Sequence, residues 1–133
     1  MHVTGLYVAL GVLLVLALSA RVIWLRNARK VALGDGGLPE LARAIRAHAN
    51  AVEYLPLGLL MLLVIELDGA RAGWLHLAGI TLLAGRSLHA WGLSRRSGRS
   101  FGRALGIVLT WLVMLAMALQ LLWSHLLQVG ATA

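Results

Sequence analysis

Four polar residues recur at helical spacing where an apolar stretch begins: Arg43, Arg46, Asn50 and Glu53. These spacings place all four side chains on one face of a helix. A charged side chain at the centre of a bilayer costs at least ~2.5 kcal/mol, so such a row implies a partner or a ligand. Guanidinium groups bind carboxylates and a recessed glutamate binds an amine. The row therefore suits a small anionic ligand that also carries an ammonium group.

The composition indicates that a membrane holds the elements that position this row. The chain of 133 residues is 60% hydrophobic and 13% charged, with a mean hydropathy of +0.84. At ~1.5 Å of rise per helical residue, four apolar stretches can cross the hydrocarbon layer of about 30 Å. They are residues 4–25, 47–65, 72–93 and 104–127. Because lipid offers backbone groups no hydrogen bonds, we predict an all-α fold: one domain over residues 1–133, an integral membrane four-helix bundle.

The charges predict how this bundle is oriented. The net charge is +7, and the basic residues gather in residues 26–46 and 95–103. The positive-inside rule then places the first and third loops in the cytoplasm and both termini outside, which is the periplasm for a bacterial inner membrane. Membrane lipids, and not nucleic acid, are the partners expected of this charge pattern. Cysteine is absent, which excludes thiolate metal sites, and we expect no metal. Any thiol must arrive with a substrate.

Antiparallel helices bring further polar residues to the leaflet that holds the row. Helix three returns to that leaflet with Arg86 and His89, and helix four begins there, after Arg99 and Ser100. We expect the strongly polar groups to converge on this one leaflet. Gly102 and Gly106 form a small-xxx-small pair, which predicts close helix packing.

The residues at these positions resemble a known family. The pattern R-x-x-x-N-x-x-E-x-x-P, in RAHANAVEYLPL at residues 46–57, resembles the second helix of MAPEG proteins, the membrane-associated proteins of eicosanoid and glutathione metabolism. GRSLHAWG at residues 85–92 is similar to the R-x-x-H motif of the third helix, and RSFGRAL at residues 99–105 to the start of the fourth. KVALGDGG at residues 30–37 looks like the first loop of short bacterial members. The resemblance runs from about residue 21 to residue 123.

The resemblance implies a homotrimer that binds glutathione as a cosubstrate between neighbouring subunits, near the cytoplasmic face. Carried over by position, the glutathione-binding residues are Arg26, Arg46, Asn50, Glu53, Arg86, His89 and Arg103. Arg99 would stabilise the thiolate, lowering the thiol pKa from the free value of ~8.5, and Ser100 would donate a hydrogen bond to the sulfur. Ser100 has an equally good structural role as the N-cap of helix four. The thiolate would attack a lipophilic electrophile or a peroxide, as in a glutathione transferase or peroxidase.

Two departures from the family pattern leave a second interpretation open. Leu93 and Arg103 stand where the family pattern has tyrosines. Without those hydroxyls, contacts to glutathione or its thiolate are lost, although Arg103 would compensate for part of the charge. The alternative is a non-catalytic glutathione- or lipid-binding scaffold.

Two unrelated classes of membrane protein also fit parts of the sequence. A bis-histidine haem cytochrome would pair His48 with His89 in one leaflet and His76 with His125 in the other. A small multidrug transporter also has four helices, but it needs an acidic residue in its first helix. Residues 4–25 contain none.

Overall fold

The computed structural model describes residues 2–95, 98 and 100–132, and every regular element in them is helical. The four helices are α1 (Val3–Arg29), α2 (Pro39–Leu67), α3 (Ala72–Arg95) and α4 (Phe101–Thr132). The predicted number, order and class of elements are confirmed. Each helix continues beyond its apolar stretch at one end or both, because helical hydrogen bonding does not stop where the hydrophobic residues stop.

The ends of α1 and α2 follow from local sequence. α1 ends at Lys30, whose left-handed backbone (φ 54°) directs its amide back to the carbonyl groups of Arg26 and Asn27. Proline at the first position of α2, followed by Glu40, suits a helix start, where backbone amides lack partners. α2 then continues without a break through Pro56.

α2 and α3 form the centre of the bundle. Each of them packs against all three other helices, whereas α1 and α4 make no contact with each other within the described ranges. The main core is apolar and includes Tyr7, Leu62, Leu75, Leu82 and Met117. Burial of this kind fixes the relative height of the four helices, and therefore which polar residues share one end of the bundle.

Glycines allow α3 and α4 to approach closely. A Cβ atom on Gly106 would lie 2.5 Å from both the carbonyl oxygen of Gly85 and the backbone nitrogen of His89. At Gly102, it would lie 3.2 Å from the carbonyl oxygen of Leu88. The predicted packing role of Gly102 and Gly106 is confirmed, and it brings the polar residues of α3 against the backbone of α4.

Three helices in the described part of the chain are long and apolar enough to span a membrane: Val3–Arg29, Pro39–Leu67 and the Phe101–Leu127 part of α4. α3 is not among them. It has 24 residues, enough to cross the hydrocarbon layer, but it carries Arg86, His89 and several glycines among its apolar residues. A four-helix membrane bundle fits this arrangement, with α3 packed against each of the other three helices.

The expectation that strongly polar groups converge on one leaflet is wrong. At the opposite end of the bundle, the Glu66 carboxylate accepts hydrogen bonds from the backbone amides of Val3 and Thr4 and so caps α1. The Tyr7 hydroxyl lies 2.8 Å from His76 Nδ1. A third contact, from Trp74 Nε1 to Gln120 Oε1 at 2.6 Å, joins α3 to α4. Because backbone amides at a helix start need acceptors, an acid distant in sequence can satisfy them.

Candidate functional site

Arg86 is the buried centre of the polar cluster. Its side chain lies between α2, α3 and α4, and the residue is 1% exposed. Nε donates to Thr110 Oγ1 at 2.9 Å, Nη1 donates to Asn50 Oδ1 at 2.6 Å, and Nη2 lies 3.5 Å from the carbonyl oxygen of Gly106. The guanidinium carbon lies 4.7 Å from the centre of the Tyr54 ring, within cation–π range. A buried charge needs such partners, and Arg86 has them on two neighbouring helices.

Hydrogen bonds lead from Arg86 to the surface of the protomer. Asn50 accepts from Arg86 through Oδ1 and donates through Nδ2 to Glu53 Oε2 at 3.3 Å. The other oxygen of Glu53 lies 3.8 Å from Arg46 Nη1. The side chains of Arg46 and Glu53 are 63% and 51% exposed. Three members of the predicted row of four, Arg46, Asn50 and Glu53, are therefore linked on one face, with an exposed ion pair at the outer end.

His89 and Arg103 form a second group, one helical turn from Arg86. His89 Nδ1 lies 3.1 Å from the carbonyl oxygen of Arg103, and Arg103 Nη1 donates to the carbonyl oxygen of Gly98 at 2.8 Å. Ser100 Oγ accepts a hydrogen bond from the Arg103 amide at 3.3 Å, which is the geometry of an N-cap. Beside these residues lies a recess of about 330 Å³ lined by His89, Ser100, Arg103, Ala104 and Ile107.

One predicted site residue, Arg26, lies apart from both groups, and another lies outside the described part of the chain. Arg26 is in the last turn of α1, where its Nη1 donates to the carbonyl oxygen of Ala32 at 3.3 Å. Arg99, the predicted thiolate-stabilising residue, lies outside the described residues. Its neighbour Ser100 lines the recess.

Three members of the cluster were not predicted from the sequence: Thr110, Tyr54 and Trp111. Thr110 is fully buried and its Oγ1 donates to the carbonyl oxygen of Gly106 at 2.8 Å. Trp111 Nε1 donates to the Tyr54 hydroxyl at 3.3 Å. A threonine one helical turn after Gly106 is a usable signal for a buried polar contact, but its partner Arg86 is 24 residues away.

Two of the histidines considered as haem ligands, His76 and His89, make contacts between helices. The Nδ1 atoms of His76 and His89 contact the Tyr7 hydroxyl and the Arg103 carbonyl oxygen respectively. No group of three or more histidine and acidic residues converges on a possible metal position in the described ranges. Each of these histidine contacts ties two helices together.

A large apolar groove lies between α1 and α2. Its volume is about 740 Å³, and its walls include Gly11, Leu16, Val52, Pro56 and Leu60. Val52, which lines the groove, directly precedes Glu53 in α2.

Comparison with known proteins agrees with this arrangement. The model of the MAPEG family matches residues 4–123, which cover most of the four helices and include both polar groups. The chain is 44% identical over 121 residues to the inner membrane protein YecN of Escherichia coli strain K12, covering 91% of each chain. The protein of the same name from Escherichia coli O6:H1 matches equally well. A match that covers nearly the whole chain identifies this protein as a member of the MAPEG family.

Proposed function

We propose that this protein is a glutathione-dependent enzyme of a bacterial inner membrane, which activates the glutathione thiol for attack on a lipophilic electrophile or peroxide. The observation that carries the proposal is the chain of contacts from Arg46 through Glu53 and Asn50 to the buried Arg86. The family to which the protein belongs includes glutathione transferases and peroxidases. The proposed orientation keeps both termini in the periplasm and the first and third loops in the cytoplasm.

Glutathione has the charges that this cluster can bind. It carries two carboxylates, one ammonium and a thiol. The half-exposed Glu53 carboxylate would accept the ammonium, and Arg46 would bind a carboxylate. Both side chains are directed away from the protomer's core, and exposing them to lipid would be costly. A second subunit would cover them, so we include the homotrimer in this proposal, with each ligand between two protomers.

The thiol would lie in the recess beside His89, Ser100 and Arg103. We assign Arg99 the role of fixed positive charge beside the sulfur, and Ser100 that of hydrogen-bond donor through its hydroxyl proton. In a conjugation, the thiolate sulfur bonds to carbon and the leaving group departs with its electron pair. With a peroxide, the sulfur takes the terminal oxygen with its proton as the O–O bond breaks, and the alkoxide leaves and takes up a proton to become the alcohol. The resulting sulfenic acid then reacts with a second glutathione to give the disulfide and water. The groove between α1 and α2 offers an apolar surface for the lipophilic substrate.

A second function is favoured by the contacts of Arg103. This residue occupies a position where the family pattern has a tyrosine, and its Nη1 is bonded to the Gly98 carbonyl oxygen. The other tyrosine position is Leu93, which has no hydroxyl. A chain that binds glutathione or a lipid without forming a thiolate is therefore the alternative.

Glutathione binding by the purified protein in detergent, followed by calorimetry and by thiolate absorbance, tests the proposal. Glu53→Gln should weaken binding about 10- to 100-fold, since a hydrogen bond to a charged group is worth roughly 1.5–3 kcal/mol. The control is Glu40→Gln, because Glu40 also lies on α2 and pairs with an arginine, Arg29, at 3.7 Å. It should bind like the wild type.

The two readouts separate the two functions. If the protein is an enzyme, the wild type should bind glutathione and give a thiolate signal. Arg99→Ala should remove this signal while glutathione remains bound. Binding without any thiolate signal in the wild type would favour the scaffold. If the wild type binds no glutathione at millimolar concentration, the proposed enzyme is wrong. A conjugation assay with a small aryl halide then measures turnover.

A further inference from the structure

Thr110 occupies a position in the polar cluster that the proposed ligand contacts do not explain. The residue is 0% exposed and lies on α4. Its Oγ1 accepts a hydrogen bond from Arg86 Nε at 2.9 Å and lies 2.8 Å from the Gly106 carbonyl oxygen. Arginine can only donate and a carbonyl can only accept, so the single hydroxyl proton must point to Gly106. Both contacts together fix the rotamer of Thr110 and the plane of the Arg86 guanidinium.

The orientation of Arg86 in turn fixes the Asn50 amide. Arg86 Nη1 donates at 2.6 Å, so the atom of Asn50 that receives it must be the oxygen. The amide nitrogen is then the atom that faces Glu53 Oε2, at 3.3 Å. A rotation of the amide would place two donors against each other at Arg86. The direction of every hydrogen bond from α4 to the exposed carboxylate is thereby determined.

We propose that Thr110 is a positioning residue, which holds the Glu53 carboxylate in its binding orientation through Arg86 and Asn50. Arg86 is 1% exposed and its nitrogens contact Thr110, Asn50 and Gly106, so it acts by orienting Asn50 within the protomer. The ligand part of this inference rests on the proposed function, because Glu53 is taken to receive the ammonium group of glutathione. The series of hydrogen bonds from Thr110 through Arg86 and Asn50 to Glu53, called the relay below, is present in the protein without ligand.

A purely structural role for Thr110 is the competing explanation. Threonines in membrane helices often bond the carbonyl group four residues earlier, and Thr81 does so with Leu77 at 2.7 Å. Thr110 makes the same contact with Gly106, but it also accepts from a buried arginine. Thr81→Val is therefore a matched control, which removes the same kind of backbone contact without touching the relay.

The relay can be tested without glutathione. The chain contains two asparagines, Asn27 and Asn50, so selective ¹⁵N-asparagine labelling gives two side-chain amide signals by NMR. Thr110→Val should shift the Asn50 signal and leave the Asn27 signal unchanged. Neither signal should shift in Thr110→Ser, which keeps the hydroxyl, or in Thr81→Val. If Thr110→Val does not fold, the same NMR measurement can be made on Thr110→Ala. An unchanged Asn50 signal in Thr110→Val or Thr110→Ala would overturn the proposal.

The effect on Glu53 is tested with a pair of ligands: glutathione and its analogue without the ammonium group. Thr110→Val should weaken glutathione binding about tenfold and binding of the analogue much less, because the analogue has no ammonium group for Glu53 to bind. The difference between the two losses measures the coupling of Thr110 to Glu53. Equal loss for both ligands would show that Thr110 does not act on Glu53. If the wild type binds neither ligand, the proposed function fails, and the asparagine signals still decide whether the relay exists.

Discussion

His89 Nδ1 lies 3.1 Å from the carbonyl oxygen of Arg103 and joins α3 to the first turn of α4. A carbonyl oxygen can only accept a hydrogen bond, so the proton of this contact is on Nδ1. In the neutral ring, Nε2 is then an acceptor. The same ring lines the recess proposed for the thiol. The backbone of α4 therefore determines which nitrogen of His89 could accept a proton or a hydrogen bond from a ligand.

The His89 contact predicts different outcomes for two substitutions of this residue. The side-chain nitrogen of His89→Asn can take the place of Nδ1 and keep the bond to Arg103, whereas His89→Phe loses this inter-helix hydrogen bond. We expect His89→Phe to lose about 0.5–1.5 kcal/mol of unfolding free energy and His89→Asn to lose less. Unfolding in detergent measures both, and ¹⁵N shifts of the wild-type ring report its tautomer. A ring protonated at Nε2 would contradict this assignment.

Gly106→Ala should separate α3 from α4. The new methyl group would lie 2.5 Å from the Gly85 carbonyl oxygen and from the His89 backbone nitrogen, and backbone atoms cannot rotate away. Overpacking in a core costs about 1–3 kcal/mol, and we expect the upper end of that range here, together with loss of glutathione binding. Gly130→Ala is the control, because nothing lies within 4 Å of its Cβ position. Equal stability of the two variants would contradict the close contact.

The orientation in the membrane can be tested with single cysteines, since the chain has none of its own. Leu33 in the first loop is 89% exposed, and Asp68 lies in the turn between α2 and α3. The positive-inside rule predicts that Asp68→Cys reacts with an impermeant maleimide in intact cells, and that Leu33→Cys reacts after the membrane is permeabilised. The opposite pattern would place the polar cluster on the periplasmic side.

The sequence predicted the helices and the outer part of the cluster, because both depend on local patterns. Apolar stretches of membrane length determine where helices form, and the spacing of Arg46, Asn50 and Glu53 places them on one face. The contacts of Thr110 and Glu66 depend on how the helices pack. Glu66 caps a helix 62 residues away in the chain, and such a contact has no signal in the residues around it.

The exposed pair of Arg46 and Glu53 predicts that the protein forms an oligomer. Their paired side chains are 63% and 51% exposed in the single protomer. Exposing charged side chains to lipid is costly, so burial against a neighbouring protomer favours an oligomer, and we expect native mass spectrometry to find three chains of 14.3 kDa. The double variant Arg46→Gln/Glu53→Gln removes that cost from the monomer and should raise the monomer fraction. Arg29→Gln/Glu40→Gln removes a pair at the first loop and should leave the trimer intact. Monomers in the wild type at every protein concentration would contradict this assembly.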